Sequence, residues 1–249
     1  MTKPSKPKRH AVYSGTRNLY EHMVPAVKSL VANSSVTDVW LLIEDEEFPY
    51  EMPDFVHFVD LSGQEWFEPG GVNMKSEFTY MAMVRVAYAE IFPDIDRIVQ
   101  FDVDTVCVDD VDFLWEVDLD DMWLACVEEH LGTYKPYGPR YYNVGVASFN
   151  LDQIRADNVT CQMVEMLNKR KLWCVEQDTF NIFAVPGKMA DLPVRYNECF
   201  VTGYTDDPAV VHFAGARKWW EDPAVPRREH LAKYRAMSWD EVMEAHDGR

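Results

Sequence analysis

Apolar runs of strand length and apolar stripes of helical period take turns along this chain. Ala11-Val12-Tyr13-Ser14 reads as a first strand, and Gly15-Thr16-Arg17-Asn18 as the turn after it. Tyr20, Met23, Val24, Val27, Leu30 and Val31 then recur at helical spacing, with Asn33 as a C-terminal stop. Val39-Trp40-Leu41-Leu42-Ile43 is continuously apolar, as a parallel strand covered on both faces requires, and Phe55-Val56-His57-Phe58-Val59 is a third strand. His57 is read as a core or edge histidine, not a ligand. Residues 60–75, with Gly63, Pro69, Gly70 and Gly71, form a loop. Ser76 caps a helix whose apolar face is Tyr80, Met81, Val84, Ala87, Tyr88 and Ile91, ending before Pro93. Ile98 to Phe101 and Trp123 to Val127 are further strands, and a short helix starts from Val111 to Trp115 between them.

The second half is less regular. A polar loop from Gly132 to Arg140 leads into Tyr141–Asn150, a strand in which Gly145 marks a close approach of the backbone to something else. One helix is expected from Asp152 to Lys171, with Lys169-Arg170-Lys171 matching the dipole at its end. Val175 to Asn181 is a polar cluster opening another apolar segment, and Val210-Val211-His212-Phe213 is a last strand. The alternation up to about residue 127 predicts an α/β fold, doubly wound around a mostly parallel central sheet. Residues 1–10 read as a flexible basic leader, 11–220 as a single domain, and 221–249 as a helical C-terminal cap.

Composition narrows the function classes. With 249 residues, 47% apolar and 13% aromatic, the chain can bury a large core. No apolar run reaches the roughly 18 residues of a membrane span. The net charge of −18 repels nucleic acid and anionic membranes. Five cysteines, an odd number with no Cys-x-x-Cys, predict free thiols in a cytoplasmic compartment. An acidic protein that binds a phosphorylated ligand needs a metal or a local cation to overcome its own field.

Asp-x-Asp occurs four times in the acidic region, at Asp94/Asp96, Asp102/Asp104, Asp110/Asp112 and Asp118/Asp120. Only Asp102/Asp104 follows a run able to be a core strand. Two hard oxygen ligands at a strand's carboxyl end suit a divalent cation, which in turn suits a phosphorylated ligand.

Four motifs in order then resemble the family 8 glycosyltransferases, retaining metal-dependent enzymes of the GT-A, Rossmann-like nucleotide-diphospho-sugar transferase fold. Phe101-Asp102-Val103-Asp104 resembles that family's Leu-Asp-x-Asp, and Tyr142-Asn143-Val144-Gly145-Val146 its Phe-Asn-Ala-Gly-Val. Glu176-Gln177-Asp178-Thr179-Phe180-Asn181 is similar to Asp-Gln-Asp-x-x-Asn. Val211-His212-Phe213-Ala214-Gly215, followed by Lys218, is similar to its closing His-Tyr-x-Gly and Lys-Pro-Trp.

The resemblance implies that 11–220 is the catalytic domain. Asp102, Asp104 and His212 would hold Mn²⁺, or Mg²⁺. Lys218 would meet the diphosphate, Arg85 the sugar or diphosphate, and Asn143, Val144 and Gln177 the donor sugar, with Thr16, Gly145 and Gly215 also in the donor site. Glu176, Asp178 and Glu129 would line the sugar and acceptor side, with Gln177, Asp178 and Glu176 the catalytic group. The donor would be a nucleotide sugar, UDP-glucose or UDP-galactose. Where members carry an acidic residue beside the base, this chain has Thr16-Arg17, and Trp219 replaces the proline of Lys-Pro-Trp.

Two other readings stay open at this stage. Asp102-Val-Asp-Thr-Val also resembles the signature of haloacid-dehalogenase-type phosphatases, although three strands precede it here. A non-catalytic nucleotide-sugar-binding protein would use the same residues. The acceptor is left undetermined by the sequence.

Overall fold

A computed structural model describes residues 7–74, 76, 78–130, 137–185 and 187–249. The first six residues of the basic leader, and positions 131–136 of the loop before Tyr141, lie outside the described residues. In chain order the elements are β1 (His10–Ser14), α1 (Tyr20–Ala32), β2 (Asp38–Ile43), β3 (Val56–Asp60), α2 (Tyr80–Met83), α3 (Tyr88–Ile91), β4 (Arg97–Phe101), β5 (Thr105–Cys107) and α4 (Phe113–Glu116). They continue with β6 (Leu124–Glu128), β7 (Tyr142–Asn150), α5 (Leu151–Asp157), α6 (Thr160–Lys169), α7 (Val175–Ala184), β8 (Met189–Asp191), β9 (Val210–His212), α8 (Glu229–Ala236) and α9 (Trp239–Asp247).

Seven strands form one sheet in the order β3-β2-β1-β4-β7-β6-β8, parallel except where β7 runs against both its neighbours. The strands near its centre are apolar on both sides because both faces are covered. Along β1, Ala11 and Tyr13 enter the core beneath α1, while Val12 enters the core on the opposite face. In α1 the fully buried Met23, Val27 and Leu30 recur at helical spacing. Each such side chain contributes about 1.5–3 kcal/mol relative to an exposed position. The C-terminal helices lie over α1: Lys28 donates to the Met237 carbonyl at 2.6 Å, and Asn33 Nδ2 to the Tyr234 hydroxyl at 2.7 Å. Among the described residues no helix is long and apolar enough to cross a membrane, and no disulfide joins the cysteines.

Several local expectations need correction. Ser76 does not cap a helix; its hydroxyl donates to the Phe78 carbonyl, and Thr79 stands at the N-cap position instead. The helix after it is broken into α2, a 3-10 turn over Val84–Ala87, and α3, so Arg85 sits in the tighter segment. The helix expected from Asp152 to Lys171 is two, because Asn158 adopts φ 50, ψ 46 and ends α5. Within the leader read as residues 1–10, Arg9 is anchored by Asp112 at 2.8 Å and Glu116 at 2.6 Å, and His10 opens β1. Strands β5 and β8 have no counterpart in the sequence reading, since three residues carry no period. His57 pairs with Asp38 at 3.0 Å beside the sheet edge, as a structural histidine.

Candidate active site

Strands β2 and β3 are laid down on one side of β1, and β4 on the other, so the chain reverses its direction of travel between β1 and β4. The carboxyl ends at such a reversal leave a crevice. Asp102 follows β4 immediately, and Gly15 follows β1.

Two pairings assemble the site there. In the β4–β7 register Phe101 lies opposite Val146, and the Asp102 N–H donates to the Gly145 carbonyl at 2.7 Å. In a separate two-stranded sheet, β5 pairs antiparallel with β9, Thr105 facing His212. The Phe213 N–H then donates to the Asp104 carbonyl at 2.9 Å. His212 Nε2 consequently stands 3.5 Å from Asp102 Oδ2 and 3.3 Å from Asp104 Oδ1. One ligand atom from each of Asp102, Asp104 and His212 can be chosen within 4.8 Å of the others.

The donor set fits a divalent cation: two carboxylates and an imidazole form the mixed oxygen and nitrogen set that Mn²⁺ or Mg²⁺ accepts. The packing around it fits as well. A β-carbon on Gly145 would stand 2.2 Å from His212 Cε1 and 2.8 Å from Asp102 Oδ2, so only glycine lets β7 pass beneath these groups. The close approach read at Gly145 is therefore to His212 and Asp102, two of the three groups that could hold a cation.

Two cations flank the carboxylates. Arg85, 7% exposed, donates to Asp102 through Nη2 and to Glu176 Oε1 through Nη1 at 2.9 Å. Lys218 Nζ pairs with Asp104 and lies 3.3 Å from the Phe213 carbonyl. Burial opposes the charge on Asp104, yet Lys218 and His212 hold its carboxyl well below the usual range. Burial also disfavours the imidazolium of His212, but Asp104 outweighs it and raises the group to about 10. Burial pushes Glu176 up to about 7, with Arg85 pulling the other way.

Helix α7 supplies the remaining wall. Asn181 docks it on β7, its Oδ1 accepting from the Tyr142 N–H at 2.7 Å and its Nδ2 donating to the Tyr142 carbonyl at 2.9 Å. Asp178 is fully buried, accepting from the Trp173 and Cys174 N–H groups and from the Tyr141 hydroxyl. Its oxygens thus brace the turn before α7, where Val175 is held at φ 36. Gln177 points its amide at β7: Oε1 accepts from the Val144 N–H at 3.2 Å and Nε2 donates to Glu129 at 3.1 Å. Burial raises Glu129 as well, against the donors Asn143 and Gln177.

Thr16 lies in the turn after β1, its hydroxyl donating to Asn18 at 2.6 Å. Close by, Glu44 accepts from the Arg17 N–H at 2.8 Å, an acidic neighbour brought from β2 that the linear motif does not reveal. Gly215 has φ +86 and backs onto Phe200; with Cys199, Tyr204 and His212 they line a cavity of about 330 Å³. Among the described residues, Arg85 Nε, Gln100 Oε1, Glu129 Oε2 and Glu176 Oε2 are buried without hydrogen-bond partners. Gln100 and Asn197 escaped the sequence reading. Gln100 sits inside an apolar strand run, and Asn197 lies in a turn 15 positions before His212.

The other Asp-x-Asp pairs do different work. Asp112 accepts from both the N–H and the hydroxyl of Ser35 at 2.7 Å. Asp96 and Asp118 are exposed.

A crevice at the sheet's reversal point, three residues that could hold a cation and two flanking basic groups thus stand together. The chain belongs to Glycosyl transferase family 8, whose profile matches residues 12–224. This removes the phosphatase reading. No curated protein sequence matches the chain significantly.

Its fold is similar to those of solved glycosyltransferases. Against the bifunctional glycosyltransferase WbbM the TM-score is 0.73 at 18% identity, covering 99% of this chain and 52% of that one. Against GlyE of Streptococcus pneumoniae TIGR4 it is 0.74 at 18% identity, covering 98% and 64%. Against the galactosyltransferase LgtC, solved with donor and acceptor sugar analogues, it is 0.68 at 18% identity, covering 95% and 99%. The chain thus spans about half of WbbM and under two thirds of GlyE. At these identities the likeness is one of fold.

Proposed function

We propose that this protein is a metal-dependent, retaining glycosyltransferase that moves a hexose, glucose or galactose, from a UDP-sugar to an acceptor hydroxyl. The observation that carries the proposal is the convergence of Asp102, Asp104 and His212, with Arg85 and Lys218 beside them, at the carboxyl ends of β1 and β4. Asp102, Asp104 and His212 hold the cation. When bound, it supplies Lewis-acid neutralisation of the charge that builds on the departing diphosphate.

The chain's own groups do the rest. Lys218 and the Gly215 backbone stabilise the diphosphate, and Arg85 bridges from the carboxylates toward the sugar. Thr16 lies toward the nucleoside. Asn143, Val144, Gly145 and Gln177 line the sugar, with Glu176 and Glu129 around it and Asp178 bracing α7. Gln177 is an amide, a poor nucleophile, and its nitrogen and carbonyl are already engaged with Glu129 and Val144. A double displacement needs a better nucleophile on that face. We therefore favour front-face substitution, in which the departing phosphate oxygen takes the acceptor's proton and configuration is retained. The odd number of cysteines, none in a Cys-x-x-Cys pair, supports a reducing, cytoplasmic compartment.

The test is a screen of UDP-glucose and UDP-galactose for Mn²⁺-dependent turnover, followed by proton NMR of the first product. An α-linked product from an α-donor is expected, with turnover abolished by chelator and by Asp104→Asn. A β-linked product would overturn the retaining assignment. Tight donor binding without turnover on any acceptor would favour the non-catalytic reading.

A further inference from the structure

His212 is held from behind by Asn197, a fully buried residue in no recognised motif. His212 Nδ1 lies 2.8 Å from Asn197 Oδ1, and Asn197 Nδ2 donates to Asn143 Oδ1 at 2.8 Å. Asn143 Oδ1 also accepts from the Gly145 N–H at 3.0 Å, and Asn143 Nδ2 donates to Glu129 Oε1 at 3.0 Å.

The polarity of this row is determined from its far end. A backbone N–H can only donate, so the atom of Asn143 facing Gly145 must be its oxygen. Glu129 Oε1 receives N–H donors from both Asn143 and Gln177, so the Asn143 atom facing it must be nitrogen. With both ends of Asn143 decided, Asn197 must turn its NH₂ toward Asn143 and its oxygen toward His212. An amide oxygen cannot donate, so His212 Nδ1 must carry a proton. The lone pair left for a cation is then on Nε2, the nitrogen facing Asp102 and Asp104.

We propose that Asn197 is a positioning residue that, through Asn143 and Glu129, holds His212 as the Nδ1–H tautomer with Nε2 presented to the cation. The inference rests on the reading of His212 as a cation ligand. The same row joins the cation site to the sugar side, because Glu129 also receives Gln177. Partners of this kind, one shell behind a metal ligand, typically change metal affinity or activity 10–100-fold when removed.

The experiment is a titration with Mn²⁺ alone, read by the electron paramagnetic resonance of the free ion, without donor or acceptor. Wild type should bind, and Asn197→Ala should bind about 10–100-fold more weakly. Asn197→Asp keeps an oxygen toward His212 and sets a second oxygen against Asn143. It should return Mn²⁺ affinity to within about threefold of wild type while turnover stays at least about tenfold down, on the scale of losses at groups that hold a metal ligand from behind. A purely structural role would not separate the two readouts. Histidine ¹⁵N NMR of wild type loaded with diamagnetic Cd²⁺ decides the tautomer even if a variant fails to fold. Protonated Nδ1 is expected, and an Nε2–H tautomer overturns the proposal. Wild-type binding with Asn197→Ala unchanged overturns the relay alone. A wild type that binds no divalent cation overturns both the relay and the metal reading.

Discussion

Gly145 and His212 are packed so closely that no other residue type fits at 145: an added β-carbon would lie 2.2 Å from the imidazole Cε1. Gly145→Ala should therefore displace the imidazole or open the β4–β7 ladder at Asp102. Overpacking of this kind costs about 1–3 kcal/mol, or about 2–12 °C of melting temperature in a chain this long. Mn²⁺ affinity should fall by more than the stability loss explains. Calorimetric titration beside a thermal melt checks this, and unaltered Mn²⁺ binding would contradict the packing argument.

The pH dependence of metal binding follows from His212. Its pKa of about 10 means the imidazole is protonated at neutral pH when no cation competes, and a ligand nitrogen must give that proton up. Mn²⁺ affinity should rise by about tenfold per pH unit between pH 6 and 8, with about one proton released per ion bound. Titration in two buffers of different ionisation enthalpy measures the release. Proton-independent binding would be the contrary result.

Glu176 affects stability with the opposite sign to a salt-bridged surface acid. Its folded pKa, about 7, lies above the usual 4.5 because burial disfavours the carboxylate. The folded state therefore binds the proton more tightly between these values, so this contribution is full below pH 4.5 and is lost as pH rises through 7. Urea unfolding of wild type and Glu176→Gln across that window should show the variant gaining relative stability as pH rises. A difference that is flat with pH would refute the assignment.

Asp112 separates stability from catalysis. It ties Ser35 and Arg9 together at the amino ends of β1 and β2, the opposite end of these strands from the candidate site. Asp112→Ala should cost about 1–2 kcal/mol, lowering the melting temperature by about 2–8 °C. Donor turnover at 25 °C should be unchanged. A fall in turnover there would show that the neighbouring Asp-x-Asp is not the independent structural element described here.

The strands that build the centre of the sheet were legible because each is buried on both faces. β1, β2, β4 and β7 therefore had to be nearly continuous apolar runs of strand length. Asp102, Asp104, Asn143, Gln177 and His212, which the fold brings together, could be singled out because they stand at or near the ends of such elements in an order that resembles the family's. The breaks at Val84 and Asn158 were not, since both lie in stretches whose side chains keep helical spacing while the backbone departs from it.

Only the tertiary structure decided how the site closes. The three residues of β5 carry no period, yet their pairing with β9 brings His212 to Asp104 across more than a hundred positions of chain. Asn197 is a buried amide in a bend and Glu129 a buried acid just past β6, and sequence pattern, even where it pointed to Glu129, carries no information about their partners. Their roles come from hydrogen-bond polarity, which exists only once donor and acceptor face each other. Apolar periodicity reports which face of an element is buried; it does not report which polar group it will meet there.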